Sequence, residues 1–253
     1  MRTFYILFVK ELRSFFVSPL AWVVMALVMV LSGIAFTFSL EGMSGKVNSV
    51  SLIYYTFNSN SFWMVYFVIF PLITMRLFAE EKKLGTLESL MTAPISTASV
   101  LAAKYVAALV FYCIVWLPSL LNFLLFEMIS GSEGAFTGGA LFGAYLILFL
   151  LGLFNVAIGC FASSLTSNQI IAGVAGFCLV MLHFFIGYIP ELIEDPDFKA
   201  AAIQKIGYVS TIYHLRYFTQ GLIDTRVIVY YSSFALLFFL LTYYVLEFRR
   251  WRA

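Results

Sequence analysis

The sequence predicts an all-α membrane protein with six transmembrane helices and an N-terminal amphipathic interfacial helix, and three observations carry that prediction. Only 11% of the 253 residues are charged and 62% are hydrophobic, whereas a soluble domain is about a quarter charged. The few charges cluster, leaving uncharged stretches that match or exceed the ~20 residues needed to cross a bilayer. Within those stretches, runs such as Leu146-Ile147-Leu148-Phe149-Leu150-Leu151 lack the period-two alternation of a barrel strand. A helix, in contrast, satisfies its own backbone hydrogen bonds in lipid. A mean hydropathy of +0.97 excludes a soluble enzyme and a disordered chain. The net charge of +2 is too small to indicate a nucleic-acid partner. Cys113, Cys160 and Cys178 lie in apolar runs with no CxxC spacing and read as small hydrophobes, neither disulfides nor a metal site.

The elements follow in order. Residues 2–18 place Phe4, Leu7, Phe8, Leu12, Phe15 and Phe16 at helical spacing, with Lys10, Arg13 and Ser14 facing elsewhere. That pattern suits a helix lying along a membrane surface, and it reads also as an extension of the first span. Pro19 interrupts it, and the first span covers about 19–40. This stretch is longer than a signal-peptide core and no A-x-A site follows, so it is expected to remain as an anchor. Polar Asn48, Ser51, Asn58 and Asn60 push the second span to about 62–79. Lys104 and Glu127 bracket the third, 100–126. The uncharged stretch from Glu133 to Glu191 is too long for one span, and the polar turn Ser163–Gln169 divides it into 139–162 and 170–190. The sixth, 228–247, lies between Arg226 and Glu247.

Arg2, Lys10, Arg13, Arg76, Lys82, Lys83, Lys104, Arg249, Arg250 and Arg252 fall on one side of this topology. Lys46, Lys199, Lys205, Arg216 and Arg226 fall on the other, so both termini are expected in the cytoplasm. The segment 191–226 is then extracellular. Asp195-Pro196-Asp197 starts one short helix that stops near Gly207. Ser210 starts another with Ile212, Leu215, Phe218 and Leu222 on one side, while Tyr208, Tyr213 and Tyr217 suit a membrane interface.

The densest charge lies between spans two and three, in the loop 80–96 and the Arg76-Leu77-Phe78-Ala79 that precedes it. Glu80 and Glu81 are followed by Gly85, which interrupts the chain; Thr86 is placed to cap a short helix, and Pro94 to end it. That helix would show Leu87, Leu90 and Met91 on one face beside Glu88, apolar anchors ringed by charge that suit a groove on a cytosolic partner. The residues alone read equally well as a solvated turn.

The stretch from Arg76 to Ser96, with Glu80-Glu81, Gly85-Thr86, Glu88, Leu90 and Ala93-Pro94-Ile95-Ser96, resembles the signature of ABC-2-type transporter permeases. The likeness extends to Ala157–Thr166, to Phe218–Arg226 and to Arg249-Arg250-Trp251. These last features resemble most the gliding-motility-associated branch, with the branch linked to copper-enzyme maturation close to it. The resemblance implies a type V exporter-like fold in a bacterial inner membrane, with 191–226 as short helices above the path. It implies a coupling helix that docks on a separate cytosolic ATPase, which would bind the ATP and Mg, and a dimer with an identical or similar permease. It also makes Glu80, Glu81, Gly85, Thr86, Leu87, Glu88, Leu90 and Pro94 the ATPase-facing set: Gly85, Thr86 and Pro94 for helix placement, Leu87 and Leu90 for docking, the glutamates for steering.

Chemistry of the chain's own is hard to place. A P-loop is missing, since Gly45-Lys46 is followed by Val47 and preceded by Leu40 where glycine belongs, so the sequence carries no ATP site. Glu80-Glu81 opens the Glu-Glu-x-x-x-Arg pattern of an intramembrane hydrolase, but Gly85 replaces the arginine. A scaffold that transports nothing is the other alternative. Within the spans, Asn155 and His183 are candidates for the path or for hydrogen bonding between helices. Pro71 and Pro118 are candidates for gating kinks or for packing, and Gly139-x-x-x-Gly143 with Ala172, Gly173 and Gly176 for close helix packing, a dimer face included. No acid sits mid-span, which argues against an ion-coupled carrier.

Overall fold

The computed structural model describes residues 2–43, 51–92, 95–131 and 136–250, and among these every regular element is a helix. Helix α1 (Arg2–Val17) passes through Ser18 into α2 (Pro19–Met43). Proline suits that first position, where its missing amide hydrogen would have no intrahelical partner. Two short serine-capped starts follow: Ser51 Oγ accepts from the Tyr54 amide to open α3 (Leu52–Phe57), and Ser59 Oγ from the Phe62 amide to open α4 (Asn60–Thr74). Next come α5 (Ala79–Lys83), α6 (Thr86–Thr92), α7 (Thr97–Ser130), α8 (Gly138–Leu165) and α9 (Gln169–Tyr188). A 3-10 turn, Ile189–Leu192, leads to α10 (Pro196–Ile206), and a second, Gly207–Val209, to α11 (Thr211–Phe218). Helix α12 (Thr225–Arg250) is the last described element.

Among the described residues, six stretches are long and apolar enough to cross a membrane: α2, α4 running on through α5, α7, α8, α9 with the turn after it, and α12. The second departs from the expected 62–79: the helix stops at Thr74, turns through Met75–Phe78 and resumes as α5. Ser163 of α8 is the reason. Its Oγ accepts from the Phe78 and Ala79 amides at 3.0 and 3.1 Å and donates to the Met75 carbonyl at 3.2 Å. Those are the backbone groups that a helix break would otherwise strand in a dry interior. The third helix outruns 100–126 at both ends, because Ser96 caps it from the Ser99 amide and Gly131, at φ +56°, ends it.

Helix α8 is the hub, touching α4, α7, α9, α11 and α12. Glycines let it be approached closely: a Cβ on Gly159 would lie 2.1 Å from Thr74 Oγ1, and one on Gly143 would lie 2.2 Å from the Phe218 carbonyl oxygen. Gly143 is therefore covered by the end of α11 inside one chain, the close approach expected of it, while a Cβ on Gly139 would meet nothing within 4 Å. The 191–226 segment folds back as expected of short helices, and α11 buries Leu215 and Phe218 completely. Of the cysteines, Cys160 is buried, Cys113 half-buried and Cys178, on α9, exposed. Large apolar side chains stand open along α2, α4 and α9, among them Val30, Met64 and Ile171.

Candidate functional site

The loop between the second and third spans is built by α5 and α6. Gly85 separates them at φ +70°, a left-handed conformation that favours glycine. The start of α6 differs from the expected cap: Thr86 is its first residue, and its hydroxyl donates to the Glu81 carbonyl at 3.3 Å instead of accepting an amide. The apolar anchors also turn inward. Leu87 is buried in the main core, and Leu90 packs on Leu7, Val100 and Ala103, where α1 crosses α7. Both leucines pack within this chain. Among the described side chains of α6, those left open are polar, Thr86, Glu88, Ser89 and Thr92, next to Leu84, which is 67% exposed. Pro94 and the Met91 side chain lie outside the described residues.

The two glutamates of α5 part company. Glu80 stays near the surface, 3.7 Å from Arg76 Nε. Glu81 turns inward to Lys104 of α7, with Nζ 2.8 Å from its Oε1 and 3.0 Å from Glu11 Oε2 on α1. The Lys104 side chain is only 3% exposed and its charge lies 5.6 Å from the Phe78 ring centroid. Lys10 completes the group, 3.3 Å from Glu11 and 3.7 Å from Glu81. Partial burial works to lower the Lys10 pKa, but the charges of Glu11 and Glu81 outweigh it and the net shift is upward. Around this knot, Arg76 Nη1 donates to Ser18 Oγ at 2.7 Å and Lys82 Nζ to the Ser164 carbonyl. Helices α1, α5, α7 and α8 are thereby joined at one end of the bundle by charged or hydroxyl side chains.

The mid-span groups are engaged within the chain. Asn155, fully buried, donates to Tyr66 Oη at 2.6 Å and to the Leu151 carbonyl at 2.9 Å, bonding α8 to α4. His183 Nε2 pairs with Tyr230 Oη at 2.9 Å and Nδ1 with Thr211 Oγ1 at 3.4 Å, bonding α9 to α12 and α11. His214 Nδ1 meets Tyr231 Oη at 3.0 Å. Burial pushes the His214 pKa down to about 4, with Asp224 pulling weakly the other way. Pro71 lies one turn before the end of α4, its carbonyl accepting from the Met75 amide at 2.9 Å, and α7 continues through Pro118 to Ser130. Of the sequence-predicted residues, Glu80, Glu81, Gly85, Thr86, Leu87, Glu88 and Leu90 therefore share one end of the bundle, while Asn155 and His183 belong to separate interhelical bonds.

The family model described as ABC-2 family transporter protein matches residues 10–187, from within α1 to the end of α9. The chain belongs to that family. No match is found among curated proteins. Membership in the ABC-2 family, with six bilayer-length helices, makes this a multi-pass membrane protein and a permease-type subunit.

Sequence reading of this ABC-2 chain missed Glu11, Lys104 and Ser163. A signal existed for the first two: Glu11 follows Leu7 by four residues on the apolar face of α1, and Lys104 follows Val100 likewise on α7. A charge on an apolar helical face needs a buried partner. Ser163 carried no such mark, because a serine near a helix end is ordinary.

Proposed function

We propose that this chain is the permease subunit of an ATP-driven transporter in a bacterial inner membrane, with both termini in the cytoplasm. It pairs with a second permease, identical or similar, and with separate cytosolic ATPase subunits that bind the ATP and Mg. The resemblance of Phe218–Arg226 and Arg249-Arg250-Trp251 supports the gliding-motility-associated branch.

The observation that carries this reading is the setting of α6. Its apolar side is bound into the chain's own core, its polar side with Glu88 stands free, and Glu81 just before it is ion-paired to α1 and α7. A helix held in that way passes a load to its neighbours instead of yielding. On ATP binding, closure of the ATPases pushes on α6. The push travels through Glu81 and Lys104 to α1 and α7 and through the Ser163 bonds to α8, tilting these helices and opening a path between the two permeases. The open apolar residues along α2, α4 and α9 supply the surface for the second copy.

Glu88→Lys tests the docking face. ATPase co-purification and ATP-dependent transport in reconstituted vesicles are expected to fall about tenfold, a loss of about 1.4 kcal/mol, with membrane insertion unchanged. Unchanged binding and transport would refute α6 as the docking element, and transport by the permease without any ATPase would refute the coupling.

A further inference from the structure

A cavity of about 410 Å³ lies under α1 at the coupling end of the bundle, between α1 and α2 on one side and α4 and α5 on the other, with α7 behind. Its deep wall is apolar: Leu20, Val24, Leu72 and Ile73. Its head is polar, formed by Ser14, Ser18, Arg76, Glu80 and Glu81. Two atoms there, Arg76 Nε and Glu81 Oε2, are shut off from solvent and make no hydrogen bond to the described residues, the Glu80 carboxylate standing 3.7 Å from Arg76 Nε, beyond hydrogen-bond reach. An unbonded charged-group atom in such a place costs free energy until something pairs with it. One atom is a donor on a cation and the other an acceptor on an anion, so the complementary ligand carries both charges.

We propose that this cavity binds the headgroup of an aminophospholipid, phosphatidylethanolamine in class. The phosphate lies on Arg76 and Ser18, the ammonium donates to Glu81, and the glycerol and first acyl carbons run along the apolar wall. The position supports this, because α1 is amphipathic and leaves Tyr5, Ile6 and Val17 exposed, as a helix does at headgroup level. The charge balance selects the lipid. The three carboxylates, Glu11, Glu80 and Glu81, are balanced by Arg76, Lys104 and the adjacent Lys10, so a headgroup without net charge fits. A purely anionic headgroup would leave Glu81 Oε2 without a cationic partner. A choline headgroup has no N–H to give to Glu81. Occupancy would brace α1 against α4 and α5 beside the buried ion pairs, so the lipid acts as part of the structure around the coupling loop.

Native mass spectrometry of the purified permease tests this without any ATPase or transport, so failure here leaves the functional proposal intact and the reverse also holds. The protein is incubated with equal amounts of phosphatidylethanolamine, phosphatidylcholine and phosphatidylglycerol sharing one acyl composition. Phosphatidylethanolamine adducts are expected to exceed each of the others about tenfold, the ratio that about 1.4 kcal/mol supports. Glu81→Gln is expected to abolish the preference over phosphatidylcholine. Because that change also disturbs the Lys104 pairing, Ser14→Trp provides a second arm: it fills the cavity from an exposed position and is expected to bring the ratio near one. Equal retention of the three lipids, a preference for phosphatidylglycerol, or an unchanged ratio in Ser14→Trp overturns the proposal.

Discussion

Lys104 is a full charge buried two turns inside α7, and the carboxylates of Glu11 and Glu81 from two other helices make that position tolerable. Removing one member of such a group strands the rest. Lys104→Met is expected to cost about 3–5 kcal/mol of stability, seen as a lower thermal transition in detergent. Replacing Glu11 and Glu81 by leucine in the same chain should recover most of it, since an apolar set of similar volume is often as stable. His214 makes a second residue-scale prediction. Its pKa lies near 4 when folded and near 6.5 when unfolded, so the unfolded chain binds the extra proton first. Stability should fall as pH drops from about 6.5 to 4, by up to about 3 kcal/mol, and His214→Gln should flatten that slope in pH-dependent melting. Neither arrangement could be read from spacing alone: Glu11 and Lys104 lie 93 positions apart, and only tertiary packing sets them 3.0 Å from each other.

At the level of elements, the long helices were legible because charge cannot be left inside lipid, so uncharged stretches mark them with little ambiguity. The break after Thr74 was not, because Met75, Arg76, Leu77 and Phe78 are all acceptable in a helix and the decisive group, Ser163, comes from α8. That dependence is testable. Ser163→Ala removes the acceptor for two amides and the donor for one carbonyl, and should cost about 1–3 kcal/mol. Amide hydrogen exchange at Phe78 and Ala79 should quicken well beyond that at the middle of α8. The short helix α6 was legible in position and not in orientation. Periodicity identifies an apolar face but cannot say whether it meets a partner or the same chain, and here Leu87 and Leu90 meet the same chain.

Over the whole molecule, stability is unevenly distributed. Two thirds of the apolar stretch of α8 is buried (67%), against 22% for those of α9 and α12, so α8 is a fixed axle and the outer helices complete their packing with lipid or protein. The six-helix plan agrees with the reading from charge and ABC-2 membership with the resemblance carried by Arg76–Ser96, while the polar knot and the histidine bonds belong to the third dimension. The exposed thiol of Cys178 turns this unevenness into a wetness gauge that needs no engineering. A thiol attacks maleimide only as thiolate, and thiolate does not form against acyl chains. With Cys160 buried and Cys113 half-buried, a polar maleimide is expected to label Cys178 alone. If α9 borders an aqueous path between two permeases, labelling should rise several-fold when the ATPase partner and ATP are supplied, and labelling that stays negligible throughout would mean that α9 faces hydrocarbon at every stage of the cycle.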